Sequence, residues 1–534
     1  MKATVFTNGN LCTHNSRRSV GDSIASLGGR IVWIGDYKEC LEAFPRGIKP
    51  ETRDLCGKTV IPGFIDSHIH LLGFGLNLQV LSLVGVTSID ELKARVKQRA
   101  FETQEGGWLI GRGWDQGQFS DKEYPTRYHL DEVAGGRPVF LIRSCGHIAV
   151  ASSKALEIAG INRDIQDPTG GVIDRDSRGE PTGILRESAL GLIQSCIPKI
   201  ELEAMEGALA KATQYVLSKG ITSVHTNDGQ AGFWGTMDLY RRVREKGLPL
   251  RVYWDVPGEL FEELSNSSLR TGDGDDYLRI GSVKLFADGS LGGRTAALES
   301  SYSDDPGQNG ILVVSEEDLN EMVWKSHSIG MQVAIHAIGD RAVKVSLEAI
   351  DHAQSKLPEY DLRHRIVHAQ ILTPDLISEM KRVGVVADIQ PKFLSTDMLW
   401  ALDRVGPQRM QWSYSWRSML KAGIPLAGGS DCPVEDPDPL YGIYCAVTRK
   451  DMDGNPPSGF FPNERLEIDE AVDLFTLGGA YGAHEEKKKG RLSRGNLCDF
   501  VVLSDDIYSV DPDHIKDLQV LLTVIGGDVV YEKA

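Results

Sequence analysis

Long apolar runs are missing from this sequence of 534 residues. No stretch approaches the about 18 consecutive apolar side chains that mark a membrane-spanning helix. The opening residues, Met1-Lys2-Ala3-Thr4-Val5-Phe6, lack the apolar core of a signal peptide. Cysteine is sparse: eight residues, none in a Cys-x-x-Cys pair, make no disulfide framework. Positive charge is short too. The formal net charge of -17 argues against nucleic acid and anionic membrane as partners, since both require clustered Lys and Arg. The one basic run, Lys487-Lys488-Lys489, follows Glu485-Glu486 and reads as a solvated loop. These absences leave a reduced, cytoplasmic protein that meets a small molecule. The 41% hydrophobic and 25% charged content is that of a soluble globular chain, long enough for two or three domains. A homodimer is the ordinary expectation.

The chain is organised around Val60-Ile61-Pro62-Gly63-Phe64-Ile65-Asp66-Ser67-His68-Ile69-His70. A short β-branched apolar run reads as a buried strand, and this one ends in His-x-His. Alternating side chains put His68 and His70 on one face, about 7 Å apart along the chain. Seven further strand candidates follow, most with a helical pattern behind them. They are Ile221–His225, Leu250–Trp254, Ile280–Phe286, Gln332–His336, Arg365–His368, Val385–Ile389 and Pro425–Gly429. Eight strands alternating with helices predict a (β/α)8 barrel, residues 59–485. About 150 residues separate His70 from Ile221 where one helix would suffice, so an inserted subdomain is expected over about 75–215. Its place after the first strand predicts a lid or substrate wall at the barrel mouth. Residues 1–58 and 486–534 hold short strands and Gly-Gly turns, which predicts one small β domain, a sandwich, built from both chain ends.

Barrel enzymes carry their reactive groups at the C-terminal ends of strands. Those ends supply His68 and His70, Lys284, His336, His368 and Asp431 in Gly428-Gly429-Ser430-Asp431. His336 or His368 alone would be an ordinary core histidine, and Asp431 alone a helix cap. Four imidazoles and a carboxylate at one mouth are instead a metal inventory.

The sequence resembles the amidohydrolase superfamily, in its family 3 branch of N-substituted formamide deformylase-like enzymes. The likeness rests on Pro62–His70, Val283–Gly292, Ile335–Asp340, Arg365–His368 and Gly429-Ser430-Asp431, and it spans nearly the whole chain. The resemblance implies that His68, His70 and Asp431 hold a buried divalent metal; zinc is the default for such ligands, and iron, manganese and cobalt fit the same inventory. It implies His336 and His368 for a second, with Lys284 bridging the two as a carbamate. A buried lysine has a depressed pKa and can add carbon dioxide, whereas an ammonium paired with Asp288 or Asp431 is the alternative. The implied activity is hydrolysis of a non-peptide C–N bond in an amide, N-substituted formamide or cyclic amide by metal-activated hydroxide. Asp431 would serve as general base and then acid. A deaminase of an amidine-like ring, and a non-catalytic metal-stiffened scaffold or regulatory protein, are the other readings.

Substrate contacts are less sharply marked. Gly113-Trp114-Asp115 and Arg143-Ser144-Cys145-Gly146-His147 offer Trp114 and His147 as pocket residues, or as braces for the insertion. Arg294 could meet a substrate carboxylate or form a surface ion pair. His225 ends the second strand, His364 reads as structural, and Cys432 as a packing residue.

Overall fold

The computed structural model describes residues 2–13, 21–104, 106–120, 122–144, 147–198, 200–358 and 361–533. The chain divides into two compact units, Met1–Gly75 with Leu209–Ala534, and Leu76–Ala208.

The larger unit is built on eight parallel strands, each at one of the expected places. They are β1 (Phe64–Ile69), β2 (Ile221–Thr226), β3 (Arg251–Pro257), β4 (Leu278–Phe286), β5 (Val333–Ala337), β6 (Arg365–His368), β7 (Val386–Ile389) and β8 (Leu426–Gly428). They pair in sequence order in one sheet, from β1 to β8. Most of their residues are buried on both faces, which is why they read as apolar runs rather than as alternating ones. Helices between them carry clear stop signals. In Pro374–Val383, Thr373 accepts from the Leu376 amide and Gly384 ends the helix at φ 78°, a conformation glycine takes without a Cβ penalty. The two outer strands meet just beyond their ends: the Asp431 amide donates to the His68 carbonyl (2.7 Å), and the His70 amide to the Cys432 carbonyl (2.8 Å). This seam brings the first and last strand ends together.

The run from Val60 to His70 is not one strand. Thr59–Pro62 pairs with Phe500–Leu503 in a five-stranded sheet, and β1 starts afresh at Phe64. Pro62 has no amide to continue a ladder. At Gly63 an added Cβ would lie 2.4 Å from the Thr222 side chain, so only glycine lets β1 pass β2 there. The five-stranded sheet, drawn from both chain ends, shares a hydrophobic cluster with a four-stranded sheet of N-terminal strands. Phe6, Ile24, Val60, Phe500 and Val524 all belong to it. Arg251, at the start of β3, ties this sheet to the barrel through two bonds to Asp499 (2.5 and 2.8 Å).

The basic run is also not simply solvated. Lys487 is exposed, but Lys489 is buried, paired with Glu485 (2.5 Å) and donating to Ser223 Oγ of β2 (2.7 Å). A buried ammonium needs such partners.

The smaller unit holds a six-stranded sheet, with Ile148–Ala151 and Val139–Arg143 at its centre and Leu109–Trp114 beside them, and its own hydrophobic clusters. The helix Leu202–Ser218 runs across the boundary at residue 208. Among the described residues no helix is long and apolar enough to cross a membrane. The seven described cysteines are free thiols, and Cys145 lies outside the described residues.

Candidate metal centre

Strand register delivers the candidate side chains to one level. Lys284 pairs with Ala334, Phe286 with His336 and Ala337 with His368, so β4, β5 and β6 end nearly together. The seam between β8 and β1 adds His68, His70 and Asp431. His68 Nε2 lies 3.3 Å and His70 Nε2 3.1 Å from Asp431 Oδ1. His70 sits one residue beyond β1, with its ring centroid 5.6 Å from that of His68. One ligand atom from each of His68, His368 and Asp431 lies within 4.8 Å of the others. Metal–ligand bonds of about 2.1 Å in tetrahedral geometry put ligand atoms about 3.4 Å apart, close to the two spacings around Asp431. The backbone of Asp431 is held at φ 55° to reach this place, an uncommon conformation for a residue with a side chain.

The outer hydrogen bonds of His336 and His368 fix which nitrogens carry protons. His336 Nε2 faces the Gly289 carbonyl at 3.0 Å, so it is the N–H, and Nδ1 keeps its lone pair. His368 Nδ1 faces Gln390 Oε1 at 2.6 Å. Gln390 is itself oriented, because its Nε2 donates to the Asp388 carbonyl (3.1 Å). His368 Nδ1 therefore carries the proton, leaving a lone pair on Nε2. These two lone pairs point at each other across 2.9 Å. Burial keeps His336 well below its ordinary pKa and takes His368 down to about 3, so neither ring holds a proton there at neutral pH. Two facing lone pairs repel unless a cation lies between them. The residues present thus fit a divalent metal. His68 Nδ1 adds a buried nitrogen with no hydrogen-bond partner among the described residues.

Lys284 is buried, and among the described residues its Nζ reaches the Leu285 carbonyl (3.2 Å) and the face of Phe286 (3.7 Å from the centroid). Burial brings its pKa down to about 7, against the pull of Asp431 and Asp255. Among the described residues it forms no ion pair. The alternative partner Asp288 is committed elsewhere: it accepts the amides of Ala297 (2.9 Å), Ile338 (3.0 Å) and Gly339 (2.8 Å). Burial works to raise the Asp431 carboxyl, but bonds from His68 and His70 override it and hold the group well below the usual carboxylate range.

Beneath the site lies a charged floor. Arg365, fully buried, bonds Asp255 (3.1 and 3.2 Å), Asp388 Oδ2 through Nε (3.1 Å) and the Ser67 carbonyl (2.6 Å). Ser67 Oγ donates to Asp388 in turn. Sequence reading passed over Arg365, Asp255, Asp388 and Gln390. The signal available was period two: Asp388 and Gln390 follow the same alternation at the end of β7, a strand end otherwise left without a reactive group.

The softer expectations fare differently. Trp114 is enclosed in the core of the smaller unit, its indole N–H on the Leu141 carbonyl (2.9 Å), which makes it a packing residue of that unit. His147 is exposed and faces Glu187 (3.0 Å); its neighbours Cys145 and Gly146 lie outside the described residues. Arg294 makes a two-bond pair with Asp304 (2.9 and 3.2 Å), which occupies its guanidinium. His364 accepts the Val333 amide (3.0 Å) and meets His327 (2.9 Å), a structural role. His225 is buried beside Tyr253, its ring centroid 5.0 Å away.

A parallel eight-stranded barrel with imidazoles and a carboxylate gathered at its strand ends defines a class of protein that holds divalent metal at the barrel mouth. The chain belongs to the amidohydrolase family, whose pattern matches residues 51–531. It is 37% identical over 513 residues to the YtcJ protein of Bacillus subtilis (strain 168), covering 95% of each chain. It is 28% identical over 549 residues to the N-substituted formamide deformylase of Arthrobacter pascens, covering 100% of this chain and 99% of that one. Among solved structures, an uncharacterized metal-dependent hydrolase from Pyrococcus furiosus superposes with a TM-score of 0.80 at 32% identity, over 95% of this chain and 100% of that chain. Family and neighbours together indicate a metal-dependent hydrolase.

Proposed function

We propose that this protein hydrolyses a carbon–nitrogen bond outside peptides, in an amide, an N-substituted formamide or a cyclic amide. The observation that carries the reading is the pair of imidazole lone pairs facing each other at 2.9 Å, with His68 and His70 gathered on Asp431 beside them. That arrangement needs a cation and has open approach on the His70 side, where the ring is 33% exposed. The name of the Arthrobacter relative supports the formamide end of the range.

His68, His70 and Asp431 would hold one ion, and His336 and His368 another. Zinc suits this mixture of imidazole and carboxylate. Such an ion supplies Lewis acidity, which polarises a carbonyl and makes water acidic near neutral pH. Lys284 Nζ, neutral in part near pH 7, attacks the carbon of carbon dioxide and loses one N–H proton to solvent. The resulting carbamate would offer two oxygens as metal ligands. Asp431, ionised throughout the neutral range, takes a proton from the attacking water and passes it to the leaving nitrogen. The protein would work in the cytoplasm as a homodimer.

The test is metal content per chain by elemental mass spectrometry, on protein purified without added metal or chelator, followed by assay of N-formyl and N-acyl compounds. Near two equivalents with release of formate or carboxylate is the expected result. Near one equivalent keeps the hydrolase and demotes Lys284 to a structural amine. Protein that refuses zinc on reconstitution would overturn the reading in favour of a scaffold.

A further inference from the structure

Three exposed or half-buried groups that flank the candidate set are apolar, and the cations of the loops around it, Lys284 itself apart, are in use. Phe286 follows Lys284 by two positions, packs its ring 5.3 Å from that of His336, and is 42% exposed. Phe393 stacks on His368 at 5.9 Å with 18° between the planes, and is half-buried. Val434 lies three residues past Asp431, its amide on the Asp431 carbonyl (2.9 Å), and is 64% exposed. Apolar side chains standing in water beside a reactive centre mark where a ligand removes them from water.

The segments between the ends of β2 to β8 and their returning helices contain four cationic side chains, Arg294, Lys392, Arg404 and Arg409, and Arg341 opens the helix that follows β5. Arg294 and Arg404 both bind Asp304. Lys392 binds Glu435 (2.8 Å), and Arg341 reaches Glu316 (3.4 Å). Arg409 spends its guanidinium on the carbonyls of Ser300 (2.9 Å) and Ser301 (2.8 Å). A substituent carboxylate lying over these loops, away from Lys284 and the proposed ions, would give up its hydration without gaining a free guanidinium or ammonium from them.

We propose that the substrate of this site carries an uncharged apolar substituent, aromatic or branched aliphatic, which lies on Phe286, Phe393 and Val434. The inference rests on the hydrolase reading above and narrows it: N-acyl amino acids and other anionic amides are poor substrates.

Two compounds that differ only at the end of the substituent test it: N-(2-phenylethyl)formamide and N-formyl-β-alanine, a phenyl against a carboxylate. Binding to the metal-loaded protein is measured by calorimetry, and turnover by release of formate. The phenyl compound should bind at least about tenfold more tightly. Phe286→Ala should erase most of that preference. Val434→Lys, which installs a free ammonium on the rim without touching the reactive set, should shift the ratio toward the carboxylate by about tenfold. Equal affinity for both compounds, no affinity for either, or preference for the carboxylate in the parent overturns the inference, as does an unchanged ratio in Val434→Lys. Binding of the phenyl compound with turnover of neither leaves the ligand class standing and overturns the hydrolase reading instead, so the two failures are distinct.

Discussion

Replacing Arg365 by Met tests the charged floor of the barrel. Arg365, Asp255 and Asp388 are each fully buried, and together carry one positive and two negative charges. Removing the guanidinium leaves two carboxylates in the barrel interior with no ion-pair partner among the described residues. Neither loses every partner: Asp255 keeps the Ser282 amide (3.0 Å) and hydroxyl (2.7 Å), and Asp388 keeps the Ser67 hydroxyl. The cost should therefore fall within the range for breaking a buried pair by one partner, about 3–5 kcal/mol. That is a large part of the roughly 5–15 kcal/mol by which a folded domain is stable. The assay is urea denaturation followed by far-ultraviolet circular dichroism and tryptophan fluorescence, using the transition in which both probes coincide. Adding Asp255→Asn and Asp388→Asn to Arg365→Met removes the uncompensated charge and should restore more than half of the loss. A loss under about 1 kcal/mol for Arg365→Met, or a further loss on adding the two amides, would refute the reasoning.

Three other outcomes are expected. Asp431→Asn should retain most of its metal by elemental analysis while turnover falls by about 10²–10⁴; near-normal turnover would remove Asp431 as proton carrier. Gln390→Leu takes away the acceptor that fixes the His368 tautomer, and should weaken zinc binding by about 10–100-fold in a competition titration with a chelator. Burial takes His364 from 6.5 down to about 3, so the unfolded chain binds a proton in that window and the folded chain does not. Its contribution to stability is present above pH 6.5 and is lost as pH falls toward 3. In His364→Gln the slope of unfolding free energy against pH should flatten by up to about 1.4 kcal/mol per pH unit in that window.

The barrel was legible in the sequence because buried parallel strands are apolar on both faces and leave short, countable runs. The candidate site residues stand out for a related reason: a charged or imidazole side chain at the end of such a run is conspicuous, and the fold brings these side chains together. The break at Gly63 was not, because it depends on Thr222, a residue about 160 positions away whose side chain fills the space a Cβ would need. Lys489 was misread as solvated for the same reason. Its partner Glu485 is local, but Ser223 comes from β2 and only the fold brings it near. Trp114 looked available because a Gly-Trp-Asp stretch says nothing about which side of its strand faces a core.

The same division separates ligands from the groups that make them ligands. His336 and His368 can be picked out as imidazoles at strand ends, yet an imidazole offers a lone pair in a given direction only once its other nitrogen is committed. That commitment comes from a loop carbonyl, Gly289, and from an amide on the next strand, Gln390, oriented in turn by the Asp388 carbonyl. A carbonyl has no sequence signature, and glutamine at a strand end is usually solvated. The chain of commitments continues downward. Asp388 holds Arg365, and Arg365 holds the Ser67 carbonyl, one residue before His68. The candidate ligands from β1 and β6 are thus joined by one hydrogen-bonded path through the barrel interior. A change at Arg365 should therefore alter metal affinity as well as stability, although that side chain touches none of the imidazoles.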